Sequence, residues 1–360
     1  MINVLTVTGI RPDFIRMSEV FRAFDSSSQV NHTLIHTGQH FDHLLSGVFF
    51  EELEIREPDY NLDIGGQGKE HFHQNADLTV KLIELIRSQS LDPDWIFFLG
   101  DSNSVLVAPS LAKEGYKVAH IEAGMRSRDK RMLEEINRIV CDHTSSALFT
   151  YHEDYSQNLL DENISQDIIF NVGNTIVEVV NKHSKDLMKE DKSNNQILLD
   201  IHRPENFKDP SRLQAIFNRA KELSDTFKVP CLSLRFPRTY GYIDKFNIQT
   251  KGIEAVELMS YKRYLSEVYN SLFIISDSGT AQEEPAVLKT PVLVPRDFTE
   301  RPQSYLASCS KRMSLGSDYS VEDIIEFVER SRIEMSHEWL GDGKSASKIL
   351  STITQNSKTK

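Results

Sequence analysis

Three carboxylates stand out by where they fall. Asp101 closes one apolar run in Leu99-Gly100-Asp101-Ser102, and Glu122 closes the next in His120-Ile121-Glu122-Ala123-Gly124. Glu134 opens a helical stretch, Leu133-Glu134-Glu135-Ile136-Asn137-Arg138. Alone, each has an ordinary explanation. Asp101 suits a helix N-cap, and Glu134 with Arg138 has the i,i+4 spacing of a solvated pair. A carboxylate ending an apolar strand, as Glu122 does, is unusual if packing is its only purpose. Together, at or just beyond the ends of neighbouring strands, the three form an acid–base set able to move protons at a carbon.

A second group of residues suits anions. Thr8-Gly9-Ile10-Arg11-Pro12 sets a tight turn, then Arg11, then a proline fit for the first position of a helix, whose N-terminus favours an anion. Ser276-Asp277-Ser278-Gly279-Thr280 offers hydroxyls and backbone N–H groups at another helix start, a cradle for a diphosphate. Glu284, one turn on, can accept both hydroxyls of a ribose. Arg296, Arg301 and the pair His202-Arg203 bring further cations. The plainer alternatives are a surface arginine at a strand–helix turn and a capping serine with a dipole-stabilised glutamate. His36, His40 and His43, and separately His71 and His73, lack carboxylate partners at a ligand spacing. They are expected to be polar loop histidines, with no metal site.

The elements that must position these groups alternate along the chain. Apolar runs predict strands over 2–7, 32–36, 95–99, 117–121, 148–151 and 168–172. Helical periodicity predicts helices over 12–24, 76–87, 104–113, 132–143, 153–160 and 175–185. The polar stretch Met188 to Asn195 reads as a linker. Alternation then restarts, with strands over 197–201, 230–234, 272–275 and 291–294 and helices over 210–227, 261–270, 281–288 and 321–334. This is α/β order, with parallel sheets covered by helices. It gives two doubly wound domains, over 1–187 and 188–340, leaving a cleft where strand ends face a two-part ligand. A C-terminal helix and polar tail over 341–360 is expected to pack back on the first domain and to fray from Ser351.

Composition narrows the class. The 360 residues are 39% hydrophobic and 26% charged, which excludes a disordered or low-complexity chain. A formal net charge of −12 argues against nucleic acid and anionic membranes as partners. No apolar run is long enough to span a bilayer, and the first residues show no signal-peptide pattern. Three scattered cysteines, Cys141, Cys231 and Cys309, fit reduced buried thiols in a cytoplasmic protein.

The motifs also resemble a known family. Gly9-Ile10-Arg11-Pro12, Thr37-Gly38-Gln39-His40, Gly100-Asp101, His120 to Gly124, Glu134 to Arg138, Gly173-Asn174-Thr175, His202 to Asn206, Ser276 to Gly279, Gln282-Glu283-Glu284 and Thr299-Glu300-Arg301-Pro302 occur in the order found in the non-hydrolysing UDP-N-acetylglucosamine 2-epimerases. The resemblance runs from Val4 to about Ser304. It implies a GT-B-like fold of two Rossmann-like domains, a homodimer, and a UDP-sugar in the interdomain cleft. The implied chemistry inverts C2 with no cofactor. A base removes the C2 proton as UDP leaves, a 2-acetamidoglucal forms, and UDP returns after reprotonation on the other face. By the family's motifs, Asp101, Glu122 and Glu134 are the acid–base set, Arg11 holds the diphosphate, Ser278 and Gly279 bind phosphate, and Glu284 binds the ribose. Arg16, His202, Arg203, Arg238 and Arg301 are further candidate contacts.

Three positions depart from the family pattern. Arg16 replaces a lysine, keeping the charge but not the geometry. Leu133 replaces a proline. Phe236 replaces a functional histidine, and a phenyl ring can neither donate a hydrogen bond nor carry charge. Pro237-Arg238-Thr239 resembles relatives acting on UDP-2,3-diacetamido or 6-deoxy acetamido sugars. Arg235 or Arg238 then substitutes for the histidine, or activity is impaired. The other readings are a catalytically impaired UDP-sugar-binding protein, a hydrolysing epimerase releasing UDP and N-acetylmannosamine, and a GT-B glycosyltransferase, which needs an acceptor pocket.

Overall fold

The computed structural model describes residues 1–38, 50–65, 70–129 and 131–356. The chain forms two compact units. One comprises Met1–Val179 with Leu340–Lys360, the other Val180–Trp339.

In the first unit the strands are β1 (Ile2–Thr8), β2 (Val30–His36), β3 (Tyr60–Asn61), β4 (Trp95–Leu99), β5 (Val118–Ala123), β6 (Ala147–Thr150) and β7 (Ile169–Asn171). They form one sheet in the order β3-β2-β1-β4-β5-β6-β7, with every pairing parallel. The order reverses between β1 and β4, the switch point beside which open α/β sheets leave a crevice at the strands' carboxyl ends. Every residue of β4 and β5 is buried, as expected of central parallel strands covered on both faces. Helix α1 (Arg11–Ser26) turns Phe14, Met17, Val20, Phe21 and Phe24 inward, the three-and-four spacing of a core-facing stripe. On the other face Val7, Ile35, Ile96 and Phe98 meet Leu78 and Leu82 of α2 (His71–Ser88) and Leu111 of α3 (Ala108–Lys113). Burying each such side chain contributes roughly 1.5–3 kcal/mol. The helices α4 (Leu133–Thr144), α5 (Glu153–Asp161) and α6 (Ile176–Ser184) complete this part of the chain.

The second unit repeats the plan. Strands β8 (Gln196–Asp200), β9 (Cys231–Leu234), β10 (Glu254–Val256), β11 (Ser271–Ser276), β12 (Val292–Val294) and β13 (Ser310–Arg312) form a sheet ordered β10-β9-β8-β11-β12-β13, again wholly parallel. Its switch point lies between β8 and β11. Ile197, Leu199, Phe217, Leu223, Phe273, Leu293 and Phe327 are part of one core. Among the described residues, no helix is long and apolar enough to cross a membrane.

The structure corrects several expectations. The division between the units falls inside α6, not at the polar stretch after it. That stretch is no free linker: Lys192 Nζ donates to Lys289 O and Thr290 Oγ1, both at 2.8 Å, and Ser193 Oγ bonds Asn270 Oδ1 at 3.0 Å. Residues 351–356 do not fray. They continue the helix Ser345–Asn356, whose Ile349 and Ile353, spaced i,i+4, are 0% and 1% exposed; 357–360 lie outside the described residues. The helix expected from Ser104 begins as a 3-10 turn, Asn103–Val107, before α3. The one expected over 281–288 is broken into a 3-10 turn, Thr280–Gln282, and a four-residue helix, Glu284–Val287, because Pro285 lacks the N–H that a continuous helix needs. Glu284 therefore opens a short helix and does not sit one turn into a long one. Edge strands β3, β10 and β13, and short helices over Pro204–Phe207, Pro237–Phe246 and Pro302–Leu306, were not expected.

Candidate functional site

In the first unit the site is built from the ends of β1, β4 and β5 and the start of α4. Glu122 lies at the end of β5 with a positive φ of 69°, next to a register shift between Ile121 and Ala123. A left-handed conformation in a non-glycine residue costs on the order of 1–2 kcal/mol, so the surroundings must hold it. Arg138 does this twice, donating Nη1 to the Glu122 carbonyl at 2.7 Å and Nη2 to its carboxylate at 2.9 Å. The same guanidinium reaches the Asp101 carboxylate, and Arg16 pairs with Glu122 from α1. Asn137 fixes the backbone of Asp101 by donating to its carbonyl at 2.8 Å. The structure thus brings Asp101 and Glu122 together around Arg138, with Glu122 1% exposed and the Asp101 side chain 26% exposed. Glu134 lies in the first turn of α4, one turn before Arg138 and half-buried. Arg138 is therefore committed to the acid cluster, not to a solvated helix face. Arg16 is likewise a buried partner of Glu122, whereas Arg11 is exposed at the start of α1.

Behind this cluster sits a second buried network. His120 Nδ1 is 2.7 Å from Asp142 Oδ1 and its Nε2 is 2.7 Å from the Gly100 carbonyl. Both partners are acceptors, so both ring nitrogens carry protons and the ring is an imidazolium. Burial opposes that charge, but Cys141 and Asp142 outweigh it and push the His120 pKa up to about 10. Asp142 also accepts from Gly124 N at 3.1 Å and Arg126 Nη1 at 2.7 Å. Its own burial is overcome by His120 and Arg126, which hold the carboxyl below its usual range. Gly124 has φ of +78°, and a methyl there would lie 2.2 Å from the Tyr155 carbonyl, so the turn after Glu122 admits no side chain. Glu135 accepts from Ser127 N, Ser127 Oγ and Arg128 N at 2.8, 2.9 and 2.9 Å, bracing the loop that leads into α4.

In the second unit, Asp277 at the end of β11 is 0% exposed. It accepts from His202 N at 3.0 Å, Arg203 N at 3.1 Å and Asn206 Nδ2 at 3.0 Å, tying the turn after β8 to β11. Burial raises its pKa, against the lowering effect of His202. His202 Nδ1 is 2.9 Å from Asp200 Oδ1. Burial works against its charge, but Asp200 and then Asp277 raise its pKa. Its ring rests against Phe236, with centroids 4.9 Å apart. Of the arginines expected to stand in for the missing histidine, Arg235 lies over Tyr240 and near Glu257, and Arg238 lies over Phe207. The ionisable ring beside Phe236 is His202.

Ser278 Oγ, just before the 3-10 turn, lies 3.1 Å from Thr280 Oγ1 at its start, and Gly279 is buried against Arg301. Arg301 is 2% exposed, donates to Glu283 at 2.5 Å and pairs with Glu300. Its guanidinium lies directly against Gly279. Arg296 is equally buried, between Glu205 and Glu300. Glu284 accepts from the Tyr261 hydroxyl at 2.9 Å and is 5% exposed. Among the histidines, His36 accepts from Gly38 N at 2.7 Å and stacks on Phe14, His73 is exposed near Glu70, and His40 and His43 lie outside the described residues.

The sequence missed His120, Asp142, Asp200 and Asp277 as members of these clusters. One signal was available: Glu135, Arg138 and Asp142 follow helical spacing on the buried face of α4, and a charged buried stripe requires partners.

The matching family model, UDP-N-acetylglucosamine 2-epimerase, spans residues 22–354. The chain belongs to the UDP-N-acetylglucosamine 2-epimerase family. The family member of that name from Methanocaldococcus jannaschii is 33% identical, over 97% of this chain and 98% of its own. The UDP-2,3-diacetamido-2,3-dideoxy-D-glucuronate 2-epimerase of Pseudomonas aeruginosa is 31% identical, over 98% of this chain and 99% of its own. The crystal structure of the M. jannaschii epimerase in complex with UDP-GlcNAc and UDP superposes with a TM-score of 0.87 at 32% identity, covering 98% of this chain and 100% of that one. The fold is accordingly GT-B-like: two parallel-sheet α/β domains, as in these epimerases.

Proposed function

We propose that this chain is a non-hydrolysing 2-epimerase that interconverts UDP-N-acetylglucosamine, or a closely related UDP-acetamido sugar, with its C2 epimer. The observation that carries this reading is the Asp101–Arg138–Glu122 cluster at adjacent strand ends, with Arg138 and Glu122 buried and Asp101 partly exposed, in a chain aligned over nearly its whole length with epimerases that include one crystallised with UDP-GlcNAc and UDP. Asp101, Glu122 and Glu134 form the acid–base set. One carboxylate takes the C2 proton as the bond from C1 to UDP breaks, leaving a 2-acetamidoglucal and UDP. A proton is then delivered to the opposite face of C2, and the C1–oxygen bond re-forms, so the turnover consumes no proton. Arg11 at the start of α1, His202 and Arg203 on the turn held by Asp277, and the Ser278–Gly279 turn supply the positive charge and donors that stabilise departing UDP. Glu284 takes the ribose.

A diacetamido or 6-deoxy acetamido sugar is the second reading for the substrate, favoured by Pro237-Arg238-Thr239 and by the named activity of the P. aeruginosa relative. The setting we propose is a cytoplasmic homodimer serving surface polysaccharide synthesis. The three cysteines, buried and unpaired, suit a reducing compartment. The test is NMR of the purified protein with UDP-GlcNAc in D2O. Deuterium at C2 together with UDP-ManNAc establishes the proposal. Free ManNAc with UDP assigns the hydrolysing reaction. No exchange with UDP-GlcNAc or with the diacetamido and 6-deoxy UDP-sugars, with UDP binding retained, leaves a binding protein and overturns it.

A further inference from the structure

The second unit also ends an apolar strand on a buried acid. Asp200 closes β8, every residue of which is buried, and is itself 4% exposed. Its register partner across the switch point is Ser276, the last residue of β11. Asp200 Oδ2 accepts from Ser276 Oγ at 2.9 Å, and Ser276 Oγ in turn accepts from Ser278 N at 3.1 Å. Asp200 Oδ1 lies 2.9 Å from His202 Nδ1. One carboxylate thus joins the turn after β8 to the turn after β11.

His202 is fixed from three directions. Asp277 Oδ1 accepts from its backbone N–H at 3.0 Å, Asp200 holds Nδ1, and the Phe236 ring packs against it with centroids 4.9 Å apart. The helix that Phe236 precedes is tied to the same turn, because Thr239 Oγ1 donates to the Ile201 carbonyl at 2.7 Å. With a carboxylate as its acceptor, Nδ1 carries a proton. Nε2 has no hydrogen-bond partner among the described residues, and the side chain is 33% exposed. A carboxylate at Nδ1 sets the orientation of an imidazole and stabilises a second proton on Nε2. The charged groups facing the ring are Asp200, Asp277 at 3.7 Å from Nδ1, and Arg203. Tyr264, from the helix Tyr261–Asn270, faces Asp200. Arg235 and Arg238, on either side of Phe236, turn to Glu257 and to Phe207. Burial and Arg203 oppose a charge on His202, and the two acids outweigh them.

We infer that Asp200 is a positioning residue for departing UDP: it holds His202 as an imidazolium that presents Nε2–H to the diphosphate, while Ser276 holds Asp200 in place. Asp200 touches no substrate atom. The proton stays on His202 over a turnover, as a hydrogen bond to the phosphate oxygen that gains charge when the C1–oxygen bond breaks. The contact between His202 and the diphosphate rests on the function proposed above. The Ser276–Asp200–His202 arrangement does not.

The test is NMR of the full chain labelled with 13C at histidine Cε1, in wild type, Asp200→Asn and His202→Gln, beside calorimetry of UDP binding over pH and kcat for C2 inversion. The resonance missing from His202→Gln belongs to His202. In wild type it titrates above the ordinary value of about 6.5, and UDP affinity falls as pH rises through the same midpoint, because the donor loses its charge. In Asp200→Asn the midpoint drops to about 6.5 or below, UDP binds about 10–100-fold more weakly at neutral pH, and kcat falls. Adding Asp200→Asn to His202→Gln lowers kcat no further, the non-additivity of a residue that acts through another. A His202 midpoint that Asp200→Asn leaves in place, a UDP affinity blind to the His202 titration, or a loss that persists in full in the His202→Gln background overturns the assignment. The wild-type and His202→Gln readouts stand even where Asp200→Asn does not fold. A lowered midpoint with weakened UDP binding in a protein that epimerises no UDP-acetamido sugar keeps the role of Asp200 in binding and sinks only the proposed reaction.

Discussion

Replacing His120 by glutamine tests whether a buried imidazolium holds the back of the acid site. The ring is 0% exposed and joins the Asp142 carboxylate to the Gly100 carbonyl. Its pKa rises from 6.5 in the unfolded chain to about 10 in the fold. A raised folded value gives stability that is fully present below 6.5 and is lost as pH climbs through about 10. At neutral pH the difference corresponds to about 4 kcal/mol. The glutamine amide can serve one acceptor, but it leaves the other unsatisfied and supplies no charge to Asp142. The expected loss near pH 7 is therefore about 3–5 kcal/mol, the range for breaking a buried pair. The gap between wild type and His120→Gln should then close to about 1–2 kcal/mol as pH approaches 10, the residue of one unmet hydrogen bond. Urea unfolding reports this cleanly, because the chain has two tryptophans, Trp95 in β4 beside the His120 strand and Trp339 in the other unit. In a Trp339→Phe background, Trp95 fluorescence follows the first unit alone. A gap that stays constant between about pH 6.5 and 10, or a variant as stable as wild type, refutes the imidazolium assignment.

Other outcomes follow from the same geometry. Glu122→Gln keeps the shape and the Arg138 contacts to the backbone but removes the charge, and C2 exchange should fall by about 10²–10⁴-fold while UDP affinity by calorimetry is unchanged; a variant exchanging at the wild-type rate removes Glu122 from the acid–base set. Gly124→Ala places a methyl 2.2 Å from the Tyr155 carbonyl at a positive φ, so it should lower the urea midpoint of the first unit by the equivalent of about 2 kcal/mol or more, and an unshifted midpoint contradicts the turn geometry. Asp277→Ala strips the acceptor from His202 N, Arg203 N and Asn206 Nδ2, and UDP should bind at least about tenfold more weakly, or 1.4 kcal/mol; unaltered binding would separate the 202–206 turn from the nucleotide.

The parts of the fold legible in the sequence share a physical cause. Helices Pro210–Phe227, Tyr261–Asn270 and Val321–Glu334 have the limits expected from periodicity because a side-chain cap marks each start: Asp209, Ser260 and Ser320 accept from backbone N–H groups of the first turn. Strands β3, β10 and β13 are two or three residues long, and Glu254-Ala255-Val256 and Ser310-Lys311-Arg312 are polar enough to read as loop. Edge strands bury little, so they leave little pattern. In the site, Asp101 and Glu122 were legible because they interrupt apolar runs. His120 and Asp142 were not, since a histidine in a strand and an acid in a helix are commonplace until their burial is known. Arg16, singled out by the family resemblance, and Arg301, singled out as a cation after a strand, gave no sign of their partners: only the fold reveals the glutamates they pair with.

The order in which the units are written along the chain bears on how the protein is made. The first unit is interrupted, closed only when Leu340 O accepts from Asn174 N at 2.7 Å and Glu178 accepts from Ala346 N at 2.9 Å. The second unit is one uninterrupted stretch. During translation the second unit can therefore fold as soon as it emerges, whereas the first must wait, its α1 face uncovered, until the helix Ser345–Asn356 has been synthesised downstream of its neighbour. A ribosome stalled between the two would hold a nascent chain whose second sheet is complete while the first unit still lacks its last helix, the species a chaperone would meet.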